Sequence, residues 1–326
     1  MKRILVTGGC GLIGRNLVRK LQDNFQLIVV DNKIPKGSDK LIKSEKVRII
    51  KGDCRNFNLV DDLVKECDAL IHLAAPSSFL MYKENPIENT LNTIQSFLNI
   101  MEAAKKHKIK KVVHASTSAV YEGNTVPYIE TLSLKPPDLK ALSKKVNEEI
   151  GRQYSNLYGM RTIALRPFSV YGEEEAEKGG YANVISLFIW AMISGKRPMI
   201  WGNGSQTRDY IHADDVAEAF RLALVKDIDT QEINVGTGIE TSFNGVIRLI
   251  NKKLGRDLKP RYVPIPIDIY ARRLLADTKR AEKVLGFKPK INLEMGIDRV
   301  VKSSRVLIKK VPKLATMQVF YKTIKS

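Results

Sequence analysis

Residues 3–14 of the chain read RILVTGGCGLIG, an apolar run followed by a loop that contains Gly8, Gly11 and Gly14. The run RILVT has the length and character of a buried strand, and GRNLVRKLQD has the apolar spacing of a helix. Gly8 allows a tight turn, Gly11 lets the backbone approach a pyrophosphate, and Gly14 permits close packing of helix on strand. The first N–H groups of the helix would face the phosphates. This stretch predicts a dinucleotide-binding strand–turn–helix unit.

The end of the second apolar run indicates which dinucleotide to expect. The run QLIVVD ends in Asp31. A carboxylate here can accept hydrogen bonds from both ribose hydroxyls of NAD and would repel the 2′-phosphate of NADP. Asn32 and Lys33 follow, so charge alone does not exclude NADP. We predict NAD as the cofactor.

Apolar runs continue to alternate with helical patterns as far as KKVVHASTS at 110–118. This alternation indicates parallel βαβ units, and strands that are apolar throughout need helices on both faces of the sheet. After Gly172 the runs are shorter and Gly and Pro are more frequent. We predict an α/β fold, a Rossmann-type doubly wound parallel sheet with a smaller C-terminal substrate-binding α/β domain. The predicted parts are an NAD-binding domain at 1–168 with a return segment at about 210–236, a substrate domain at 169–209 and 237–295, and a basic C-terminal extension at 296–326.

The composition is that of a globular protein with an unusual charge. The 326 residues include 54 Lys and Arg against 35 Asp and Glu, a formal net charge of +19, and 44% are hydrophobic. No apolar run reaches the ~20 residues of a membrane span, and the N-terminus lacks a signal-peptide pattern. The three cysteines do not have metal-ligand spacing. We expect a cytoplasmic protein without a metal site.

The positive charge favours an anionic partner. The sequence carries no recognition helix, zinc finger or RNA-binding signature, so we expect no nucleic acid. Residues 300–326 mix basic and apolar side chains and could lie on an anionic membrane surface. Pro312 interrupts a continuous amphipathic helix. Packing or a dimer contact is therefore favoured over a membrane contact.

Motifs along nearly the whole chain resemble those of the extended short-chain dehydrogenase/reductases, in the nucleotide-sugar epimerase/dehydratase group that includes UDP-glucose 4-epimerase-like proteins. They occur in the family's order. The segments that carry the resemblance are TGGCGLIG (7–14), GDCRN (52–56), DALIHLAA (68–75), STSAVYE (116–122), LSKKVNEE (142–149), LRPFSVYG (165–172), GYANVISLFI (180–189), IWGNGSQTRDYIHADDVAEA (200–219), INVGTG (233–238) and ADTKRAEKVLGFKP (276–289).

The resemblance implies a set of cofactor-binding residues beyond the glycine loop. Asp53 and Cys54 would border the adenine, and the end of the strand in DALIHLAA would line the cofactor. The residues implied for NAD are Gly8, Gly11, Leu12, Ile13, Gly14, Asp31, Asn32, Asp53, Cys54, Leu73, Ala74, Ala75 and Lys144.

The resemblance also implies a reversible oxidation carried by a Tyr-x-x-x-Lys pair and a Ser or Thr. Thr117 matches the Ser or Thr that hydrogen-bonds the reacting hydroxyl, and Lys144 matches the Lys that binds the nicotinamide ribose. Four residues before Lys144, where relatives have Tyr, stands Lys140. The predicted catalytic residues are Thr117, Lys140 and Lys144.

Three explanations for Lys140 remain open. Burial and a neighbouring like charge lower the pKa of a lysine, so a neutral Lys140 amine could act as the base. Alternatively, the protein binds NAD and a nucleotide sugar without turnover, in a regulatory or scaffold role. Finally, Tyr121 or Glu130 could supply the base.

The second half of the chain resembles a site for a nucleotide-diphosphate sugar, with a UDP-sugar favoured. Trp201 matches an aromatic residue near the base, and Arg208 matches an arginine that binds the diphosphate through its forked donors. Relatives that are 4,6-dehydratases have an Asp-Glu pair where this chain has Ser118 and Ala119, which favours an epimerase. The predicted substrate-binding residues are Ser78, Thr117, Ser169, Asn183, Trp201, Arg208 and Arg272. Relatives pair through helices near 92–107 and 140–158, so we also predict a homodimer.

Overall fold

The computed structural model describes residues 2–35, 45–267 and 270–310. Its centre is a seven-stranded parallel sheet with the order β11-β6-β5-β4-β1-β2-β3, as the predicted Rossmann-type fold requires. The strands of this sheet are β1 (Arg3–Thr7), β2 (Gln26–Asp31), β3 (Val47–Lys51), β4 (Ala69–His72), β5 (Lys111–Ala115), β6 (Arg161–Pro167) and β11 (Gln231–Val235).

Helices cover both faces of the sheet because its strands are apolar on both sides. Along β1, Ile4 and Val6 pack with helices α1 and α7, while Leu5 packs on the opposite face with α2 and α4. Helix α5 lies beside α4. The bounds of these helices are α1 (Leu12–Leu21), α2 (Phe57–Val64), α4 (Pro86–Lys106), α5 (Leu139–Tyr158) and α7 (Ala213–Val225), and a short helix α3 (Phe79–Glu84) precedes α4.

A second apolar core lies on the C-terminal side of the sheet. It is formed mainly by helices α6, α8 and α9, and Trp190 at its centre donates a hydrogen bond to the Ser304 hydroxyl at 3.2 Å. The helices are α6 (Val184–Ile193), α8 (Phe243–Leu254) and α9 (Leu293–Lys310). Three two-stranded sheets complete this part, made by β7 (Val170–Tyr171) with β10 (Ile211–His212), β9 (Thr207–Asp209) with β12 (Glu240–Ser242), and β8 (Met199–Trp201) with β13 (Arg261–Val263).

Helix α9 includes the first part of the segment predicted to be a basic extension. Its Ile297, Val300 and Val301 are buried in the second core, so 296–308 packs as part of that core. Residues 311–326 lie outside the described residues, and the predicted domain boundaries stay a prediction. Within the described ranges, no helix is long and apolar enough to cross a membrane.

Candidate active site

A cavity of about 500 Å³ opens between the carboxyl edge of the main sheet and the second core. Open parallel sheets bind ligands outside the carboxyl ends of their strands, because the loops that follow the strands diverge there. The wall combines the ends of β5 and β6, the start of α5, the glycine-loop helix α1 and aromatic residues of the second core. The cavity therefore brings together residues that lie far apart in the sequence.

The glycine loop at one end of the cavity leaves no room for side chains. Gly8 has φ +66°, and a Cβ on it would lie 2.6 Å from the backbone nitrogen of Ala74. A Cβ on Gly14 would overlap the Gly8 carbonyl oxygen. Helix α1 begins after Gly11, which provides no side-chain cap for its first N–H groups. These groups are free to bind an anion.

Asp31 lies against this loop, at the end of β2. Its carboxylate accepts hydrogen bonds from the backbone N–H groups of Cys10 and Lys33, each at 3.0 Å. Burial raises the pKa of Asp31, and these backbone donors oppose the rise. Asn32 beside it is exposed. The carboxylate thus stands at the mouth of the glycine loop, where a ribose hydroxyl would reach it.

The other predicted cofactor residues divide into two groups. Leu12, Ile13, Leu73 and Ala75 line the cavity. Cys54 and Asp53 lie outside the cavity wall. Cys54 is buried, and burial raises the pKa of its thiol to about 12. Asp53 pairs with Arg55 at 2.7 Å, and this hydrogen bond lowers the pKa of Asp53.

The three predicted catalytic residues, Thr117, Lys140 and Lys144, line the same cavity. Thr117 caps the short 3₁₀ turn Ser118–Tyr121, with its hydroxyl oxygen accepting from the Ala119 N–H at 3.2 Å. Lys144 is buried and donates to the Ala115 carbonyl at 2.8 Å. Burial, with a smaller contribution from the charge of Lys140, lowers the pKa of Lys144 to about 7.

Lys140 occupies the first turn of α5, which begins after the capping residue Asp138. Its side chain is half-buried and, in the described part of the chain, makes no hydrogen bond or ion pair. Burial lowers the pKa of Lys140; Lys178 contributes to the decrease, while Asp138 and Glu122 oppose it. The partial positive charge at a helix N-terminus further disfavours an ammonium there.

The two alternative bases, Tyr121 and Glu130, make hydrogen bonds to other residues. Tyr121 is fully buried, donates to Asn234 Oδ1 at 2.8 Å, and accepts from Arg166 at 2.6 Å. Burial raises the pKa of Tyr121 to about 12. Glu130 accepts from the Asn234 N–H at 2.9 Å. Neither side chain lines the cavity.

A buried polar network adjoins Thr117 and Lys144. Glu148 accepts hydrogen bonds from the Ser116 hydroxyl at 2.5 Å and from Arg166 Nε and Nη2, each at 2.7 Å. Arg166 also reaches Tyr121. The network joins α5 to β6 and to the residue before Thr117. Sequence reasoning missed it, although LSKKVNEE and LRPF carry its two charged members.

The wall of the same cavity contains most of the predicted substrate residues. The Arg208 guanidinium lies 5.5 Å from the ring centre of Tyr270 and 5.4 Å from that of Phe243. The buried Nε1 of Trp201 has no hydrogen-bond partner in the described part of the structure. An aromatic wall, an unpaired indole N–H and a guanidinium suit a nucleotide with phosphates. The predicted residues that line the cavity here are Ser78, Ser169, Asn183, Trp201 and Arg208.

Arg272 lies outside the cavity wall, and its role toward the substrate stays a prediction. It is exposed and does not line the cavity. Its backbone carbonyl accepts from the Thr207 N–H at 3.0 Å, and this pairing fixes the main chain while the side chain faces solvent. Arg273 does not replace it, because Arg273 pairs with Glu240. Tyr270, two residues before Arg272, lines the cavity instead.

Sequence reasoning also missed charged cavity residues. Glu122, the last residue of STSAVYE, is half-buried and lines the wall, and so does Lys178. Burial raises the pKa of Glu122, while the charges of Arg208 and Lys140 oppose the increase. No group of three His, Cys, Asp or Glu side chains in the described ranges could hold a metal ion.

The chain is similar to sugar-nucleotide enzymes over nearly its whole length. A family model described as the NAD dependent epimerase/dehydratase family matches residues 4–236. A relative named putative UDP-glucose 4-epimerase, from Methanocaldococcus jannaschii, is 38% identical over 303 residues, which are 91% of this chain and 97% of that protein.

Two solved structures extend the similarity to the fold. UDP-N-acetylglucosamine 4-epimerase from Methanobrevibacter ruminantium, in complex with UDP-N-acetylmuramic acid, has a TM-score of 0.88 and 30% identity, covering 94% of this chain and 99% of that chain. UDP-glucose 4-epimerase of Thermus thermophilus, in complex with NAD, has a TM-score of 0.84 and 27% identity, covering 93% of this chain and 99% of that chain.

Proposed function

This chain belongs to the NAD-dependent epimerase/dehydratase family, and from that premise we propose that it is an epimerase of a nucleotide-diphosphate sugar. A UDP-sugar is favoured, because the relatives described above are named for UDP-sugars. The observation that carries the proposal is that Thr117, Lys140 and Lys144 line one cavity together with Arg208 and Trp201.

NAD is the cofactor of the family, and the residues of this chain fit it. The crowded glycine loop and the uncapped start of α1 would hold the diphosphate, and Asp31 would accept from the adenine ribose. When bound, NAD accepts a hydride from a carbon of the sugar and returns it. Lys144 would bind the nicotinamide ribose, as the family resemblance implies.

Lys140 is proposed as the base in the place of the family's Tyr. Its amine is half-buried, has no protein partner in the described part of the chain, and stands at the positive end of α5 beside Lys144. Each of these conditions disfavours the ammonium and favours the neutral amine. A neutral amine can accept a proton, which an ammonium cannot.

The proposed steps use the residues of the cavity. Thr117 hydrogen-bonds the reacting sugar hydroxyl, and the Lys140 amine takes the proton of that hydroxyl as the carbon is oxidised to a ketone. The ketosugar turns within the cavity, and the Lys140 ammonium returns the proton to the carbonyl oxygen as the opposite face is reduced. Arg208 holds the diphosphate throughout, through its forked donors.

Exchange of Lys140 tests this proposal. With UDP-glucose and UDP-N-acetylglucosamine as probes, we expect Lys140→Ala to lower kcat by about 10²–10⁴-fold, the usual loss when an acid/base group is removed. Lys140→Tyr should recover much of the rate. Lys135→Ala, at an exposed lysine before the helix, is the matched control. Full activity of Lys140→Ala would exclude Lys140 and direct attention to Lys144.

A second candidate function is a protein that binds NAD and a nucleotide sugar without turnover. The residue Lys140, where relatives have Tyr, is the observation that favours it. Calorimetric binding of UDP-glucose by the NAD-loaded wild type, without exchange of any sugar stereocentre in prolonged incubation, would support this function. Turnover by the wild type would exclude it.

We also propose a homodimer formed through α4 and α5. Leu91 and Leu98, two turns apart on α4, are 55% and 37% exposed, and Leu157 on the adjacent α5 is 67% exposed. Exposed apolar side chains on adjacent helices favour a protein partner. Light scattering after size exclusion should give a dimer for the wild type and a monomer for Leu91→Asp. A monomeric wild type would contradict the proposal.

A further inference from the structure

Two charged side chains of the cavity have no partner in the described part of the chain, Glu122 and Lys140. Glu122 follows the 3₁₀ turn Ser118–Tyr121, and Lys140 lies in the first turn of α5, which packs against that turn. Each contributes to the electrostatic environment of the other. They do not form a direct ion pair, and both side chains line the cavity.

The remaining charged groups around Lys140 are already engaged. Lys178 pairs with the buried Glu175 at 3.0 Å, and Lys144 donates to the Ala115 carbonyl. Asp138 caps the helix by accepting from the Ala141 N–H at 2.8 Å. On the Glu122 side, Arg208 donates to the Thr207 carbonyl at 2.7 Å, and its charge acts on Glu122 more strongly than that of Lys140 does. Of the two carboxylates in the described cavity wall, Glu122 and Glu175, Glu175 is paired with Lys178, and Glu122 makes no direct contact there.

Partly buried charges without partners are costly, and the cost falls when opposite charges face each other. A ligand hydroxyl or a water molecule between Glu122 and Lys140 could connect them, because both groups face the same space. A lysine and a glutamate that share a cavity without other partners form a proton-accepting unit whose total charge does not depend on which of them holds the proton.

We propose that Glu122 is the positioning residue of Lys140, a carboxylate that orients the amine and stabilises the ammonium formed when Lys140 takes the proton of the sugar hydroxyl. This inference rests on the proposed function of Lys140. It assigns the missing half of the acid/base unit that replaces the family's Tyr.

The proton balance is simple. The O–H bond of the sugar breaks, an N–H bond forms on Lys140, and the proton returns from Lys140 to the carbonyl oxygen when the hydride returns. Glu122 stays a carboxylate and neutralises the transient ammonium. Burial and the charge of Lys178 lower the pKa of Lys140, and the charges of Asp138 and, to a smaller extent, Glu122 raise it.

A direct titration of Lys140 tests this charge coupling without turnover. The unliganded protein is reductively methylated with ¹³C-formaldehyde, and the Lys140 signal is identified by its loss in Lys140→Ala. We expect Glu122→Gln to raise the acid dissociation constant of the Lys140 ammonium about tenfold, as removal of a nearby opposite charge does. Glu122→Asp should restore most of the wild-type value. Glu177→Gln, at an exposed glutamate outside the cavity wall, is the control.

The pH dependence of kcat with UDP-glucose or UDP-N-acetylglucosamine then tests the catalytic consequence. We expect Glu122→Gln to move the acidic limb to lower pH and to lower the plateau, with KM nearly unchanged and with rescue by Glu122→Asp. An identical Lys140 titration in wild type and Glu122→Gln would overturn the inference. So would a shifted titration with an unmoved pH profile. Failure of the proposed function is seen separately, as full activity of Lys140→Ala.

Discussion

The start and the middle of helix α5 place charged side chains in opposite surroundings. Lys140, Lys144 and Glu148 follow one another at intervals of one turn on the same side of the helix. Glu148 accepts three hydrogen bonds in a buried ion pair with Arg166, while Lys140 has no protein partner in the described part of the chain. Lys144, between them, makes one side-chain hydrogen bond, from its amine to the Ala115 carbonyl. Glu148, in the middle of the helix, has a structural role, whereas Lys140, at its start, is the charge that we propose for chemistry.

This difference has an energetic reason. A buried ion pair whose hydrogen bonds are all made is stable as a unit but severely destabilised when one partner is lost. A half-buried amine without a partner costs stability in the free protein and can be retained where it serves a ligand. Helix α5 therefore carries a structural charge at Glu148 and the proposed functional charge at Lys140, two positions with the same local helix geometry.

The largest expected effect is at Glu148, in the middle of the helix. Glu148→Gln leaves Arg166 buried without its charge partner, so we expect the free energy of unfolding to fall by about 3–5 kcal/mol. Glu149→Gln, one residue along at a partly exposed position that pairs with Lys145 and Arg152, should cost less than about 1 kcal/mol. Urea unfolding of the wild type and both variants measures the difference. Equal losses in the two variants would contradict the structural role of Glu148.

An intermediate effect is expected at Lys144. Its pKa is about 7 in the folded protein and near 10.5 in the unfolded chain, so between these values the unfolded state binds more protons and stability rises with pH. Lys144→Met lacks this proton. From pH 7.5 to 9.5 the free energy of unfolding of the wild type should increase relative to that of the variant, by up to about 1.4 kcal/mol per pH unit.

Urea unfolding at several pH values measures the Lys144 effect. Lys135→Met should follow the wild-type pH dependence, because Lys135 is exposed. A stability difference between wild type and Lys144→Met that is independent of pH would show that the buried amine is not neutralised near pH 7.

The smallest effect is expected at the start of the helix, where Asp138 has two roles. Its side chain caps α5, and its charge raises the pKa of Lys140. Asp138→Ala should destabilise by about 1 kcal/mol through the lost cap. Asp138→Asn keeps a capping oxygen and should cost little stability, but it should lower the pKa of Lys140.

Thermal unfolding and the ¹³C titration of Lys140 measure these two roles of Asp138 separately. The expected pattern is a lower melting temperature for the alanine variant and a lowered Lys140 pKa in both variants. An unchanged Lys140 titration in Asp138→Asn would show that the charge at the start of α5 does not reach the amine.

Much of the fold and the cofactor end could be predicted from short stretches of sequence. The spacing of Gly8, Gly11 and Gly14 after an apolar run is dictated by local sterics, and Asp31 follows at a strand end of the same βαβ unit. The alternation of apolar runs with helical patterns predicted the parallel sheet, because strands buried on both faces must be apolar throughout. Lys140 was also visible as a candidate base, since it lies four residues before Lys144 on one helix.

The sugar end of the cavity was harder to predict. Tyr121 and Glu130 were reasonable alternative bases by residue type, but their contacts with Asn234 keep them out of the cavity. Arg272 was expected at the substrate, whereas its backbone pairing with Thr207 leaves the side chain in solvent. The position of Glu122 in the cavity wall could not be predicted, because the segment STSAVYE does not indicate the direction of its side chain.

The sequence by itself determined the α/β architecture, the glycine loop and the unusual lysine four residues before Lys144. These features depend on contacts within one turn, one strand or one helix, so the order of residues is sufficient to specify them. Only the tertiary structure decided that Glu122 and Lys140 share a cavity and that Glu148 and Arg166 are buried together. Those pairings join separate elements, and their proximity depends on how the elements pack.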